Sequence, residues 1–554
     1  MAKEYLFYKN TLILFLFIVV LSYFYYIPHF WLIGSDEAIY LASANSLISA
    51  EYTFNRLPNL FYYPGTSSVI AIIKLICGNS PLILNIVFTT ISVVTLFLIY
   101  KTFNKNTLAS LITIAIFSVN NQFIKYIYYI RSDILFVFLV YLTFVLWKKF
   151  LKDEETSILI VITVVAAFSA LVRLEGLFIC GTLFLSFSHF FYHKNKHLRT
   201  VRPLLIFGVS LTPFILWTWR NYLAYTKDAY NMALNFFFGL SGPRQYAPET
   251  HNLILDSDWL YPALRLAKII ESYCLSFLGD NIYLAIYKPN VFLIIAMIIF
   301  SVVSLYLGFK LWVKQTNFFE FIFFISLSIF LFIHSIVSYG NFSSVTVIPR
   351  YWLSVLPFLV YMWVLGTHTI IKSIVALFPA LEFSYFNRNR ITHIICFLLL
   401  SIPCVTGFQR LQAFGNKEWQ QSWEEKNQAA AEIKEFAELN IPYKASIMAT
   451  DIGYTAYMTN RKTVTLLASD NLTFKRILKH EVEYLVLFFS SQAGITPYFP
   501  YSYKNHHLFS YSQDLIEKYP GVFKKLLSPK HKFPENFFEI YKIDISALNN
   551  KKFI

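Results

Sequence analysis

Asp36 and Glu37 stand directly after the first long apolar stretch of the chain, where an acidic pair could do chemistry. A carboxylate at the edge of hydrocarbon is partly desolvated, which suits it to accept a proton as a general base. The same residues also suit a helix N-terminus, because Ser35 can cap free N–H groups and acidic residues in a first turn complement the helix dipole. What favours chemistry is the company they keep. Arg131-Ser132-Asp133, Arg173 with Glu175, Arg220-Asn221 and Arg350-Tyr351 each stand at the end of an apolar segment. A single interfacial arginine often only anchors a helix or snorkels toward headgroups. Several guanidinium groups gathered with several carboxylates suit a reaction in which a base activates a hydroxyl while cations hold a lipid phosphate.

The elements that position these residues belong to a membrane protein. Of 554 residues, 56% are hydrophobic and 14% charged, so the bilayer is the natural solvent of most of the chain. Segments able to cross hydrocarbon number about eleven and fall near 11–31, 81–100, 107–124, 133–150, 157–172, 176–192, 203–219, 291–310, 318–338, 351–371 and 391–409. The run 157–192 would be about 54 Å long as one helix, so it must fold back near Arg173-Leu174-Glu175-Gly176. The net charge of +15 reflects topology rather than a nucleic-acid partner. With the N-terminus in the cytoplasm, Lys101, Lys105, Lys148, Lys149, Lys152, Arg199, Arg202, Lys310 and Lys314 all fall inside, as the positive-inside rule prefers. The acidic pair and the four arginines named above then fall outside. An odd number of spans also sends the C-terminal region out.

Three outer segments are too long to be simple connectors: 32–80, 220–290 and the C-terminal region. The first contains an amphipathic run beginning at Asp36 and then Tyr62-Tyr63-Pro64-Gly65; the second has surface-lying candidates at 232–240 and 266–278. We expect loops 32–80 and 220–290 to form the active-site face of a membrane domain, 1–410. Residues 411–554 alternate helix-like and strand-like runs, with a helix over 423–439 and strands over 445–449, 463–467 and 483–489, and read as a small extracytoplasmic α/β domain. The first apolar stretch follows Lys3 and Lys9 as a signal peptide would, but its length predicts a retained helix. The five cysteines, Cys77, Cys180, Cys274, Cys396 and Cys404, have neither C-x-x-C nor zinc-ligand spacing, so no disulfide framework and no zinc site is expected.

Taken in order, several short motifs resemble the GT-C membrane glycosyltransferases. They are the acidic pair after the first helix, Tyr63-Pro64-Gly65, Arg131-Ser132-Asp133, Arg173-Leu174-Glu175-Gly176, Trp219-Arg220-Asn221 and the run from Arg350 to Pro357. The resemblance is to the prokaryotic branch similar to protein O-mannosyltransferases (glycosyltransferase family 39) and lipid A aminoarabinose transferases. Ala449-Thr450-Asp451-Ile452-Gly453-Tyr454 and Tyr457-Met458-Thr459-Asn460-Arg461 resemble elements of the soluble part of such proteins. This chain has Tyr63 where some members carry a basic residue, and Asn460-Arg461 where many have Gly-Arg. It lacks the W-W-D motif of oligosaccharyltransferase catalytic subunits.

The resemblance implies a polytopic α-helical membrane protein with a small C-terminal α/β domain. It implies transfer of a monosaccharide from a polyprenyl-phosphate or dolichyl-phosphate donor to an acceptor hydroxyl outside the cytoplasm, with inversion at the sugar. Asp36 would be the base, and Glu37 would orient it or bind acceptor or metal. Arg220 and Arg350, then Arg131 and Arg173, would hold the donor phosphate. Tyr63, Asp133 and Glu175 would support these groups or bind acceptor, and a divalent metal, if used, would sit at Asp36. The acceptor would be a lipid, a glycan or a protein, and the location the plasma (inner) membrane. The alternative is a transporter, flippase or polymerase of lipid-linked sugars. That reading calls for ionisable groups in mid-helix or repeated halves, and neither stands out here.

Overall fold

A computed structural model describes residues 2–30, 35–51, 53–54, 57–58, 62–103, 107–193, 201–224, 291–316, 318–337, 353–377, 388–450, 452–466, 469–490, 505–527 and 536–550. Its helices begin with α1 (Ala2–Tyr25), α2 (Ser35–Ile48), α3 (Pro64–Cys77), α4 (Pro81–Thr102), α5 (Thr107–Ser118), α6 (Asn121–Tyr128) and α7 (Ser132–Asp153). They continue as α8 (Thr156–Val172), α9 (Gly176–His193), α10 (Val201–Ala224), α11 (Val291–Gln315), α12 (Phe318–Val337), α13 (Leu356–Ala376), α14 (Arg388–Ala413) and α15 (Lys417–Asn440). Each predicted apolar segment overlaps a helix, and 107–124 overlaps two. Among the described residues, four helical stretches, Leu6–Tyr25, Pro81–Thr102, Ser132–Asp153 and Leu356–Ala376, are long and apolar enough to cross a membrane. A fifth span counts if α5 and α6 are taken together.

The boundaries differ where local chemistry intervenes. The first helix ends at Tyr25 rather than near residue 31, just short of Pro28, which disfavours helix in the residue before it. The predicted 107–124 span breaks after Ser118 and bends by 61°. Asn120 caps the second piece, its side-chain oxygen accepting from the N–H groups of Gln122 and Phe123 at 3.0 and 3.4 Å. The 157–192 run folds back as predicted, between α8 and α9. At that tip a Cβ on Gly176 would overlap the backbone of Ser169, so only glycine lets the two helices approach.

The chain forms two compact units. The first contains Met1–Tyr25, Val87–Ile127 and Ser132–Leu411; the second contains Tyr26–Ile86, Tyr128–Arg131 and Gln412–Ile554. In the first, Trp147 packs among Phe150, Phe187 and Phe190, and the Phe358 ring lies 4.7 Å from Phe324 and 5.0 Å from Phe103. Helices α11 and α13 cross at backbone contact. A Cβ on Gly308 would collide with the Met362 carbonyl, and one on Gly366 with that of Ser304. Such small-residue crossings let membrane helices associate by close packing without a hydrophobic driving force.

The second unit contains a two-stranded hairpin, β1 (Thr53–Phe54) and β2 (Leu57–Pro58), and a five-stranded sheet in the order β4-β3-β5-β7-β6, from strands β3 (Ser446–Ala449), β4 (Lys462–Thr465), β5 (Val482–Ser490), β6 (Phe523–Leu527) and β7 (Asn536–Ile543). β3 pairs in parallel with β4 and β5, and β7 runs antiparallel to β5 and β6. Helices α16 (Ile452–Thr459) and α17 (Asp470–His480) supply the crossovers that parallel pairing requires. Met448, Phe474, Ile477, Leu485, Leu515 and Tyr541 are among the residues of its apolar core. The Asn460-Arg461 element has a structural explanation. Asn460 has φ +48°, the left-handed region in which Asn is the best tolerated residue after Gly. Arg461 turns its guanidinium onto the carbonyls of Ala437 (3.1 Å), Ile441 (2.8 Å) and Thr459 (2.9 Å), which caps the C-terminus of α15 with a cation.

Candidate active site

The acidic pair lies in the first turn of α2, where negative charge meets the positive end of the helix dipole. The two carboxylates are not equivalent. The side chain of Glu37 is 1% exposed, whereas that of Asp36 is 25% exposed. Glu37 is gripped by Arg131, whose Nε and Nη2 donate to its two oxygens, the second at 3.1 Å. This fork-to-fork pair satisfies a carboxylate that burial would otherwise make very costly. The third nitrogen, Nη1, lies 3.4 Å from Asp36 Oδ2. On the other side of Asp36, the Tyr62 hydroxyl donates to Oδ1 at 2.7 Å, and the Tyr62 ring is set edge-on to Tyr40 at 5.1 Å. Asp36 is therefore held between a guanidinium and a phenol and is the more open of the two carboxylates, the one an incoming hydroxyl can reach.

Tyr62 is the site residue that charge counting overlooks. The neighbouring Tyr63 is buried at the N-cap of α3, ahead of Pro64 at the start of the helix, where proline's fixed φ suits the first turn. Further along α3, Lys74 donates to Asn45 of α2 at 2.8 Å and joins the two helices.

A second charged cluster belongs to the first unit. Arg173, at the tip of the α8–α9 hairpin, donates through Nη1 to Asp133 at 2.6 Å and through Nη2 and Nε to Glu175 at 2.7 and 3.2 Å. All three side chains are buried. Two carboxylates on one guanidinium leave this group with a net negative formal charge, an arrangement that fixes the hairpin tip. Arg220, half-buried near the end of α10, donates to Asn221 at 2.9 Å and lies 4.8 Å from the Trp217 ring centre. Arg350 and the candidate surface helices over 232–240 and 266–278 lie outside the described residues.

The donor set at Asp36 is a poor fit for a divalent metal. Hard cations want several oxygen ligands, and here both carboxylates face Arg131. Among the described residues, no group of three or more His, Cys, Asp or Glu side chains is arranged to hold a metal ion.

Residues 63–219 match the sequence pattern of the dolichyl-phosphate-mannose-protein mannosyltransferase family. No curated protein matches the chain. Among solved structures, ArnT from Cupriavidus metallidurans bound to undecaprenyl phosphate is similar at a TM-score of 0.54 and 10% identity, covering 96% of this chain and 98% of that one. The archaeal oligosaccharyltransferase AglB from Archaeoglobus fulgidus, in complex with an inhibitory peptide and a dolichol-phosphate, is similar at 0.50 and 13% identity, covering 86% of this chain and 69% of that one. At such identities the likeness is one of fold. The matched motif region and the end-to-end architecture give the chain the fold of the GT-C superfamily of membrane glycosyltransferases.

Proposed function

We propose that the chain transfers a monosaccharide from a polyprenyl-phosphate or dolichyl-phosphate donor to an acceptor hydroxyl on the extracytoplasmic face of the plasma membrane, with inversion at the anomeric carbon. The observation that carries this reading is the asymmetric acidic pair: an open Asp36, oriented by Arg131 and Tyr62, beside a buried Glu37 that anchors Arg131. Two proteins sharing the fold, ArnT and AglB, have been solved with undecaprenyl phosphate and a dolichol-phosphate bound, which supports a lipid phosphate donor.

In this mechanism Asp36 takes the proton of the acceptor hydroxyl as its oxygen attacks the anomeric carbon. The bond from that carbon to the phosphate oxygen breaks, and its electron pair leaves with the lipid phosphate. Negative charge grows on the phosphate, so cations placed for that moment lower the barrier most. Arg220 and Arg350 take this task. Arg131, already engaged by both carboxylates, sets the direction of the base. Arg173, with Asp133 and Glu175, holds the hairpin tip. Tyr63 supports the start of α3.

Asp36→Asn tests the proposal, since it nearly preserves shape while removing the base. In membranes given labelled polyprenyl-phosphate sugar, transfer should fall by about 10²- to 10⁴-fold. Undiminished transfer by this variant would remove Asp36 from the mechanism.

A further inference from the structure

Arg131 ends a four-residue stretch, Tyr128–Arg131, that packs within the same compact unit as the C-terminal region. Its backbone is folded tightly, with the Arg131 N–H donating to the Tyr129 carbonyl at 2.8 Å, so the Tyr129 ring and the Arg131 side chain turn together. The guanidinium carbon lies 5.4 Å from the centre of the Tyr129 ring. That ring stands edge-on to the indole of Trp423, on α15, at 6.2 Å. Next to it, Tyr128 packs against Phe414 at 5.1 Å.

The ladder continues past the indole. Lys426, one turn along α15, carries its ammonium 4.6 Å from the Trp423 ring centre and 4.9 Å from that of Tyr454, and the Tyr454 hydroxyl donates back to the Lys426 carbonyl at 3.1 Å. Tyr129, Trp423, Lys426 and Tyr454 are all buried. A cation enclosed by two ring faces in a dry interior holds both rings in place. Tyr454 belongs to α16, and α16 packs on α2, the helix that carries Asp36 and Glu37. The C-terminal domain thus touches the acidic pair's helix directly and reaches Arg131 through aromatic rings.

We propose that Trp423, backed by Lys426 and Tyr454, is a positioning residue for sugar transfer: through Tyr129 it fixes the Arg131 guanidinium that orients Asp36 and clamps Glu37. The inference rests on the assignment of Asp36 as the base. It gives the C-terminal domain a share in aligning the reaction, by a route that requires no contact with donor or acceptor. A shift of about 1 Å in a reacting group can cost on the order of 10²-fold in rate, so a loosened ladder is felt in turnover.

The test uses the full chain purified in detergent. Trp423→Leu removes the ring, Trp423→Phe keeps one, and Lys426→Met removes the cation while Lys426→Arg keeps it. Trp423→Leu and Lys426→Met should lower kcat by about 10- to 100-fold with little change in the KM for the lipid donor, and the two conservative variants should restore most of it. A readout independent of turnover accompanies this. Labelling of carboxylates by carbodiimide and an amine, read by mass spectrometry, should rise at Glu37 in Trp423→Leu and stay unchanged at Glu539, which is clamped elsewhere in the same domain by Lys525 and Tyr541. Unaltered kcat, unaltered Glu37 labelling, or a parallel rise at Glu539 would each overturn the inference. Asp36→Asn is run alongside. If that variant keeps full activity, the base assignment fails, while the Glu37 labelling still decides whether Trp423 holds Arg131.

Discussion

Removing Arg131 should damage stability and chemistry separately, and a pair of substitutions can tell the two apart. Arg131→Met deletes both hydrogen bonds to Glu37 and the 3.4 Å contact with Asp36, while Glu37 stays 1% exposed. Removing the cation from a buried ion pair typically costs about 3–5 kcal/mol. Glu37→Gln alone is milder, at about 1–2 kcal/mol, because Arg131 retains Asp36 and an amide oxygen still accepts. In the double variant no uncompensated charge remains at position 37, so about 2–3 kcal/mol of the Arg131→Met loss should return as coupling. The assay is thermal unfolding of the four proteins in one detergent, followed by tryptophan fluorescence. Arg131→Met should unfold at the lowest temperature and the double variant clearly above it. Sugar transfer should not return with stability, because Asp36 still lacks the guanidinium that directs it. A double variant as fragile as Arg131→Met would refute the coupling, and one with wild-type transfer would refute the orienting role of Arg131.

Three further outcomes follow from the geometry. Tyr62→Phe removes one hydrogen bond to Asp36 and keeps the ring against Tyr40; transfer should fall by roughly 10-fold as the base loses part of its alignment, and the unfolding temperature should drop modestly, as loss of a bond to a charged group of about 1.5 kcal/mol implies. Gly366→Val drives a side chain into the Ser304 backbone and should lower the unfolding temperature and the yield of monodisperse protein, whereas Gly208→Ala, with open space around its Cβ, should do neither. Asp470 is held below the usual carboxylate range chiefly by the hydrogen bond from Lys518, helped by Tyr519 and Tyr511. A depressed folded-state pKa stabilises above the unfolded carboxylate range, and that contribution fades as pH falls through the folded value. Unfolding temperature should therefore drop toward acid, and Asp470→Asn should lower it at neutral pH and flatten the acid-side slope, less so in high salt because the pair is largely exposed.

The helical architecture was legible because hydropathy and length are properties of single segments. Each apolar run is helical, though 107–124 breaks into two helices at Asn120, and the fold-back at Arg173–Gly176 follows from arithmetic on the helical rise. The strands over 445–449, 463–467 and 483–489 fall within a few residues of β3, β4 and β5, since each is a run rich in β-prone residues. β6 and β7 were not. β6 reads Phe-Lys-Lys-Leu-Leu, too charged to stand out, and is defined by its pairing with β7. Nor does hydropathy reveal that 26–86 and 128–131 share a compact unit with the C-terminal region, because long-range packing leaves no local pattern.

The site shows the same division at the level of single side chains. Sequence places Asp36, Glu37 and the arginines at segment ends but cannot say which guanidinium is already spent. Four arginines look alike when charges are counted along the chain. In the folded protein Arg131 and Arg173 are each committed to two carboxylates, and Arg220 lies against Trp217 beside an amide. An anion arriving at Arg131 or Arg173 would have to compete with buried carboxylates that lose several kcal/mol when abandoned. With Arg220 assigned to the donor phosphate, Arg220→Gln should raise the donor KM and lower kcat together, whereas Arg173→Gln, which leaves Asp133 and Glu175 without that guanidinium, should act first on folding.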